Sequence, residues 1–134
     1  MYLIDTNIFL EFLLGQNRKD ECVALFNKVI SGILKANVSR FSIYSIEIAL
    51  SRNRKTDALK NFLAILRNSR GLKLLYTDYR DDEQIIELMK VYKLDFDDAL
   101  HCYLCNIYNL KIISYDKHFD KTPIKRLEPS EINL

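Results

Sequence analysis

The sequence has few glycines, prolines and cysteines, and each shortage excludes a class of protein. Three glycines and two prolines in 134 residues are too few for a collagen-like or low-complexity chain. Three cysteines do not suit the disulfide framework of a small secreted protein, so we expect reduced thiols. The chain also lacks the run of ~20 apolar residues that a membrane-spanning helix needs. What remains is the composition of a compact soluble protein, 49% hydrophobic and 28% charged.

The N-terminal segment does not have the pattern of a signal peptide, because Asp5 and Glu11 interrupt its apolar run and no basic region precedes it. We therefore expect a cytoplasmic protein without a membrane anchor. The chain also lacks a large net charge, because its 20 basic residues nearly balance its 18 acidic ones. Any electrostatic attraction to nucleic acid must therefore come from a local cluster of basic residues. The candidate basic groups are typical of solvated helix surfaces: Arg52, Arg54 and Lys55, then Arg67, Arg70 and Lys73.

Short apolar runs alternate with longer segments of helical periodicity, and this pattern favours an α/β layer fold in one domain over residues 1–134. We predict strands at residues 2–4, 72–76 and 111–114, and helices at residues 43–50, 56–68, 81–92 and 96–108. Another helix should end near Lys35, with an apolar stripe that runs from Cys22 to Ile33, and Gly71 should stop the helix at 56–68. Residues 38–42 are ambiguous, and the tail with Pro123 and Pro129 adds at most one edge strand.

Four acidic residues that are far apart in sequence stand where such a sheet places a ligand site. Asp5 follows the first strand and Asp116 follows the strand at 111–114, and parallel strands bring these ends to one edge. Glu47 and Asp98 lie in apolar surroundings, which favours partial burial. Each acid also has an ordinary explanation: a helix cap for Asp5, a solvent face for Glu47, a dipole contact for Asp98 and a turn for Asp116. Carboxylates that lie close together repel each other. A bound Mg²⁺ or Mn²⁺ ion, which prefers oxygen ligands, would compensate this repulsion.

Four segments resemble, in order and spacing, the motifs of the PIN-domain ribonuclease family. They are LIDTNIFLEFL, SIYSIEIAL, LDFDDALHCYLC and IISYDKHFD, and they extend from Tyr2 to about Asp120. The resemblance implies an α/β/α sandwich in which helices flank a short, mostly parallel central sheet. It also implies a site for Mg²⁺ or Mn²⁺ with four acids and two polar companions, namely Asp5, Glu47, Asp98 and Asp116, and Asn7 and Ser114.

The family's reaction is the hydrolysis of RNA phosphodiester bonds by a metal-activated water, and single-stranded or looped RNA is the expected substrate. By this resemblance Asp5 is the shared central ligand, and Asp98 and Asp116 complete the metal shell. Glu47 then binds metal or orients the water. Asn7 and Ser114 would hydrogen-bond to the carboxylates or to waters.

Many small members that this chain is similar to are VapC-type toxins of toxin–antitoxin pairs, held inactive by a neighbouring antitoxin and often dimeric. The resemblance therefore implies a homodimer and a small antitoxin partner. Phe9, Phe12 and Leu13 are spaced as one helical stripe, which either belongs to the core or forms an exposed apolar surface that such a partner covers; the toxin interpretation predicts the exposed surface.

The third motif supports finer expectations. Asp98, Cys102 and Cys105 share one stripe of small side chains, so we expect Asp98 to be essential and both thiols to be core residues. Asp97 heads a different stripe with His101 that should meet water, and Asp95 should cap the helix. The family usually has small residues such as alanine at both cysteine positions, which leaves a redox role for this pair open.

Two other classes of function also fit part of the sequence. A non-catalytic RNA- or partner-binding domain is one, although such a domain has no electrostatic reason to keep four acids. Asp5-Thr-Asn7 also suits an Asp-dependent phosphatase or a receiver domain. Asn7 cannot donate a proton as a carboxylic acid does, and neither class explains Glu47 and Asp116.

Overall fold

The computed structural model describes residues 1–132 of the chain. This part forms five β-strands and six α-helices, joined by short loops and three short 3-10 helices. The strands are β1 (Tyr2–Ile4), β2 (Ala36–Ser39), β3 (Leu72–Leu75), β4 (Lys111–Ile113) and β5 (Arg126–Leu127). The α-helices are α1 (Thr6–Leu13), α2 (Lys19–Ser31), α3 (Arg40–Arg52), α4 (Thr56–Asn68), α5 (Asp82–Tyr92) and α6 (Phe96–Tyr108). The 3-10 helices are Tyr79–Asp81, Lys117–Lys121 and Pro129–Glu131.

All five strands are parallel, in the order β3-β2-β1-β4-β5. The chain starts in the centre, builds β2 and β3 on one side of β1, and then returns to place β4 and β5 on the other side. The order therefore reverses between β1 and β4. Ligand sites in such sheets lie at this switch point, outside the carboxyl ends of the strands.

Side chains that alternate along the central strands serve two separate cores, one on each face of the sheet. Ile4 and Ile113 join the core formed with α1 to α4, where the rings of Phe9 and Phe26 lie 5.0 Å apart. Leu3 and Ile112 join the core formed with α5 and α6. Helices thus cover both faces, and the predicted α/β/α sandwich is confirmed.

The helices at 56–68 and 96–108 have the predicted bounds, and the tail supplies β5 as an edge strand. The helix predicted to end near Lys35 ends at Ser31, because Gly32 adopts a left-handed conformation with φ of 85°. Ile33 is consequently 68% exposed and does not belong to the apolar stripe. Within the ambiguous residues 38–42, the strand ends at Ser39, whose hydroxyl caps α3.

The prediction that Gly71 stops a helix is wrong. This glycine instead lets the loop before β3 approach the loop before β2. Helix α4 has already ended at Asn68, and a Cβ atom on residue 71 would lie 2.1 Å from the carbonyl oxygen of Leu34. The expected exposed stripe on α1 is also wrong, because Phe9 is fully buried and Phe12 packs on Phe26. No helix within residues 1–132 is long and apolar enough to span a bilayer.

Candidate functional site

Asp5 lies at the switch point, immediately after β1, and its carboxylate is held from several directions. One oxygen accepts a hydrogen bond from the backbone N–H of Thr6, at 2.8 Å, so Asp5 caps α1 as well. The other oxygen accepts hydrogen bonds from Ser114 Oγ at 2.6 Å and from Asn7 Nδ2 at 3.3 Å. The residue is only 6% exposed. Its carboxylate therefore has a fixed position between β1 and β4.

Ser114 and Asn7 join the end of β4 to the start of α1. Ser114 Oγ donates to Asp5 and accepts hydrogen bonds from Asn7 Nδ2, at 3.2 Å, and from the backbone N–H of Asp116, at 2.9 Å. The Asn7 side-chain oxygen in turn accepts from the backbone N–H of Tyr115 at 3.3 Å. With all its hydrogen-bonding capacity used, Ser114 positions both Asp5 and the loop that carries Asp116.

Asp98 and Asp116 reach the same place from α6 and from the loop after β4. Asp98 stands in the first turn of α6 and is 7% exposed, and it accepts no hydrogen bond from any residue between 1 and 132. Asp116 begins the 3-10 helix Lys117–Lys121. His118 Nδ1 lies 3.1 Å from an Asp116 oxygen and 3.7 Å from an Asp98 oxygen. One ligand atom from each of these three residues can be chosen so that all lie within 4.8 Å of one another.

The electrostatics of this group favour a bound cation. Burial, and to a lesser extent the nearby Asp97, Asp116 and Asp5, raise the pKa of Asp98 to about 7, against a lowering effect of His118. A buried carboxylate whose neighbours are also acidic has too little positive charge around it. Oxygen atoms with this excess of negative charge are the donors that hard divalent ions bind. The residues present therefore fit a metal site.

Glu47 is not joined to the other three acids. It lies half-buried on α3, and no hydrogen bond or ion pair in the described chain connects it with Asp5, Asp98 or Asp116. The pKa of the Arg40 guanidinium is raised, first by Tyr44 and also by Glu47, which places Glu47 within electrostatic range of that cation. The role of Glu47 stays a prediction.

His101 belongs to the site although the sequence pattern placed it in water. The imidazole is 1% exposed, and its Nε2 lies 2.8 Å from Ser39 Oγ and 3.1 Å from Ser42 Oγ. Ser39 Oγ already accepts the backbone N–H of Ser42, so its own proton can be donated to Nε2. That assignment leaves the ring proton on Nδ1, which has no hydrogen-bond partner within residues 1–132 and lies 3.7 Å from an Asp5 oxygen. Burial lowers the pKa of His101, which favours this neutral form.

Helix α6 explains why the face assignment failed. Every residue from Asp98 to Cys105 is buried, because the helix is surrounded by protein over this length. This part of the helix therefore has no solvent-exposed face on which His101 could lie. Asp97 is exposed, as expected, but Asp95 caps the helix without a side-chain hydrogen bond. Phe96 and Ile107, at the two ends of the same helix, are 37% and 52% exposed.

Cys102 and Cys105 are free, buried thiols in the core between α6 and the sheet. Burial raises the pKa of both thiols, which keeps them protonated and unreactive in the folded chain. Their prediction as core residues is confirmed.

An aromatic and basic surface lies on the same edge of the sheet, beside the acids. Arg40 follows β2, and its guanidinium lies 3.9 Å from the centre of the Tyr44 ring. Tyr76 follows β3. Tyr44 and Tyr76 are 53% and 65% exposed. Because β1, β2 and β3 are parallel neighbours, this surface lies on the same edge of the sheet as Asp5.

A family model described as "PIN domain" matches residues 2–125. No curated protein matches the sequence. Among solved structures, a toxin–antitoxin complex from Klebsiella pneumoniae has a TM-score of 0.73 at 18% identity, over 98% of this chain and 100% of that one. Mycobacterium tuberculosis VapC20, described as a sarcin–ricin loop cleaving toxin, has a TM-score of 0.75 at 16% identity, over 92% and 96% of the two chains. VapBC2 from Rickettsia felis, bound to a DNA fragment from its promoter, has a TM-score of 0.73 at 14% identity, over 95% of this chain and 97% of that one. At these identities the likeness concerns the fold.

Proposed function

Because the chain belongs to the PIN-domain family, we propose that it is a metal-dependent ribonuclease that hydrolyses RNA phosphodiester bonds. The observation that carries this proposal is that Asp98 and Asp116 lie close enough to share an ion at the switch point of the sheet, with Asp5 within electrostatic range of Asp98 and too little positive charge around them. The family match over most of the chain also argues against the phosphatase and receiver alternatives.

Mg²⁺ or Mn²⁺ is the proposed cofactor, with Asp5, Asp98 and Asp116 as ligands and Glu47 as a ligand or a water-orienting group. Such an ion supplies Lewis acidity and makes a bound water acidic enough to act as a nucleophile near neutral pH. Asn7 and Ser114 would keep the Asp5 carboxylate in a single orientation, as their hydrogen bonds to it suggest.

The substrate we propose is single-stranded or looped RNA, because its bases are free to leave their stack. Tyr44 and Tyr76 offer exposed rings for such bases, and Arg40 offers a charge for the phosphates. The basic groups further away, such as Arg52 and Arg54, are exposed as well and would add a general attraction.

We also propose that the protein is a toxin of a toxin–antitoxin pair, acting in the cytoplasm as a homodimer until a small antitoxin inhibits it. The support is that solved structures with this fold include a toxin–antitoxin complex, a VapC toxin and a VapBC complex. The covered surface is not the α1 stripe, since Phe9 is a core residue.

The test is cleavage of a labelled, partly unpaired RNA by the purified full chain with Mg²⁺, with Mn²⁺ and with excess chelator. We expect cleavage with either ion and none with chelator. Asp5→Asn should abolish cleavage, whereas Asp57→Asn, an exposed acid on α4, is the matched control and should cleave normally. Cleavage in excess chelator would refute the metal mechanism, and RNA binding without cleavage would favour the non-catalytic alternative.

A further inference from the structure

We propose that His118 is a nitrogen ligand of the cation held by Asp98 and Asp116, and that its imidazole makes the site prefer Mn²⁺ to Mg²⁺. This inference rests on the proposed function, since it concerns the same metal site. The inference adds one ligand to the four acidic residues of the proposed site. It also selects Mn²⁺ over Mg²⁺, a choice that the four acids alone do not determine.

The first support is the position of the imidazole. Its Nδ1 lies 3.1 Å from an Asp116 oxygen and 3.7 Å from an Asp98 oxygen. Ligand atoms at neighbouring corners of an octahedron with bonds of ~2.1 Å are ~3 Å apart. The separation between His118 and Asp116 is therefore that of two adjacent ligands of one ion. With the ring proton on Nε2, Nδ1 presents a lone pair to the space between both carboxylates.

The second support is the way the backbone fixes this residue. The backbone N–H of His118 donates to an Asp116 oxygen at 2.9 Å, so both residues belong to one turn. The next residue, Phe119, is fully buried in the core with α6 and anchors that turn. The His118 side chain is 65% exposed, so water can reach Nε2 while Nδ1 faces the acids.

The third support is independent of His118 and points to a missing positive group. The Asp98 side chain is nine-tenths buried, accepts no hydrogen bond from residues 1–132 and faces the same space. A buried carboxylate in this condition is costly unless a cation compensates it. Among residues 1–132, the only cationic or potentially cationic group paired with it is His118, at a distance longer than a hydrogen bond.

The selectivity follows from the chemistry of the donor atoms. Mg²⁺ is a hard ion that prefers oxygen and holds its waters strongly, whereas imidazole suits the first-row transition ions. A site made of carboxylates alone discriminates weakly between Mg²⁺ and Mn²⁺. Replacing one oxygen by an imidazole nitrogen should raise the affinity for Mn²⁺, and still more that for Co²⁺, over that for Mg²⁺.

The test is titration calorimetry of the full chain with MgCl₂, MnCl₂ and CoCl₂, for the wild type and three variants. We expect the wild type to bind Mn²⁺ ~10-fold or more tightly than Mg²⁺, and His118→Ala to lose most of that ratio. His118→Asp restores an oxygen ligand and should shift the preference towards Mg²⁺. Lys117→Ala, which changes the charge of the exposed neighbour, is the matched control and should move both affinities together.

A spectroscopic measurement separates a ligand from a counter-ion. The Mn²⁺-loaded wild type should show the electron spin echo modulation of a directly bound ¹⁴N nucleus, and His118→Ala should not. Thermal unfolding of each variant checks that the fold is intact. If the ion binds but the Mg²⁺ to Mn²⁺ ratio is equal in wild type and His118→Ala, or no ¹⁴N signal is seen, this inference is wrong while the proposed function stands. If the wild type binds neither ion, both are wrong.

Discussion

The substitution Asp98→Asn should remove RNA cleavage and at the same time make the metal-free protein more stable at pH 8. Cleavage is lost because an amide is a poor ligand in place of a carboxylate. Stability rises because the charge that is removed is buried and lies beside other acids; burial first, and then these acids, raise the pKa of Asp98 from 3.8 to about 7. The two effects have opposite signs, so misfolding of the variant could not produce both.

The size of the gain can be estimated from the pKa. A change from 3.8 to about 7, at ~1.4 kcal/mol per pH unit, corresponds to at most ~4 kcal/mol at pH 8. The Asp98 side chain is not completely buried, so water screens its charge and we expect about half of this, ~2 kcal/mol. For a chain of this length, ~2 kcal/mol raises the melting temperature by ~6–8 °C.

The sign of the pH dependence follows from the folded state having the higher pKa. Below about pH 4 the carboxyl group is protonated in the folded and the unfolded chain, so Asp98→Asn should have little effect on stability. The wild type loses stability relative to the variant as the pH rises from about 4 to about 7, and the difference is constant above that range.

Urea unfolding at pH 4 and pH 8, in the presence of chelator, measures the difference directly. Asp97→Asn on the exposed side of α6 is the matched control and should keep most of the cleavage activity, with a smaller gain in stability. Excess Mn²⁺ should stabilise the wild type more than Asp98→Asn. A variant less stable than the wild type at pH 8, or an equal gain at both pH values, would refute the electrostatic reasoning. An inactive Asp97→Asn with an active Asp98→Asn would show that the wrong acid was chosen.

Three further substitutions test other parts of the molecule. His101→Ala should lower the free energy of unfolding by ~2–4 kcal/mol in urea, because it empties a buried volume and leaves the Ser39 hydroxyl proton without its acceptor; a loss below ~0.5 kcal/mol would contradict this. Tyr44→Ala should raise KM for single-stranded RNA ~5–150-fold in steady-state cleavage assays and leave kcat within ~2-fold, since base stacking contributes ~1–3 kcal/mol; a change in kcat alone would argue against stacking. Gly71→Ala should cost ~2–3 kcal/mol of stability through its clash with Leu34, and a neutral result in thermal unfolding would show that the backbone yields.

The parts of the site that depend on strand ends could be predicted from the sequence. Asp5 and Asp116 follow apolar strands, and parallel pairing brings them to one edge with no further information. Asp98 was identified because a strong helical period with small residues at Cys102 and Cys105 indicates close packing of α6. The family's motifs added Asn7 and Ser114, which are found within hydrogen-bonding distance of Asp5.

The histidines could not be predicted in the same way, because their environment depends on contacts distant in sequence. His101 is buried by Ser39 and Ser42 across about sixty residues, and a helix surrounded on all sides has no polar face for periodicity to reveal. His118 comes two residues after Asp116, and only the 3-10 turn directs its ring back to the acid. The role of Gly71 could not be predicted for the same reason. A side chain at this position would clash with the backbone of Leu34, which is distant in sequence.

The two buried thiols of α6 allow the local stability of the site to be measured by chemical labelling. Cys102 and Cys105 lie on the helix that carries Asp98, and they are shielded from solvent in the folded chain. A thiol reagent can therefore modify them only during transient opening of that helix, so that the labelling rate reports the free energy of opening. A cation that connects Asp98 to Asp116 would have to be released before α6 separates from the sheet, and its binding would be visible as slower labelling. The chain thus contains internal reporters of how firmly its acidic residues are held together.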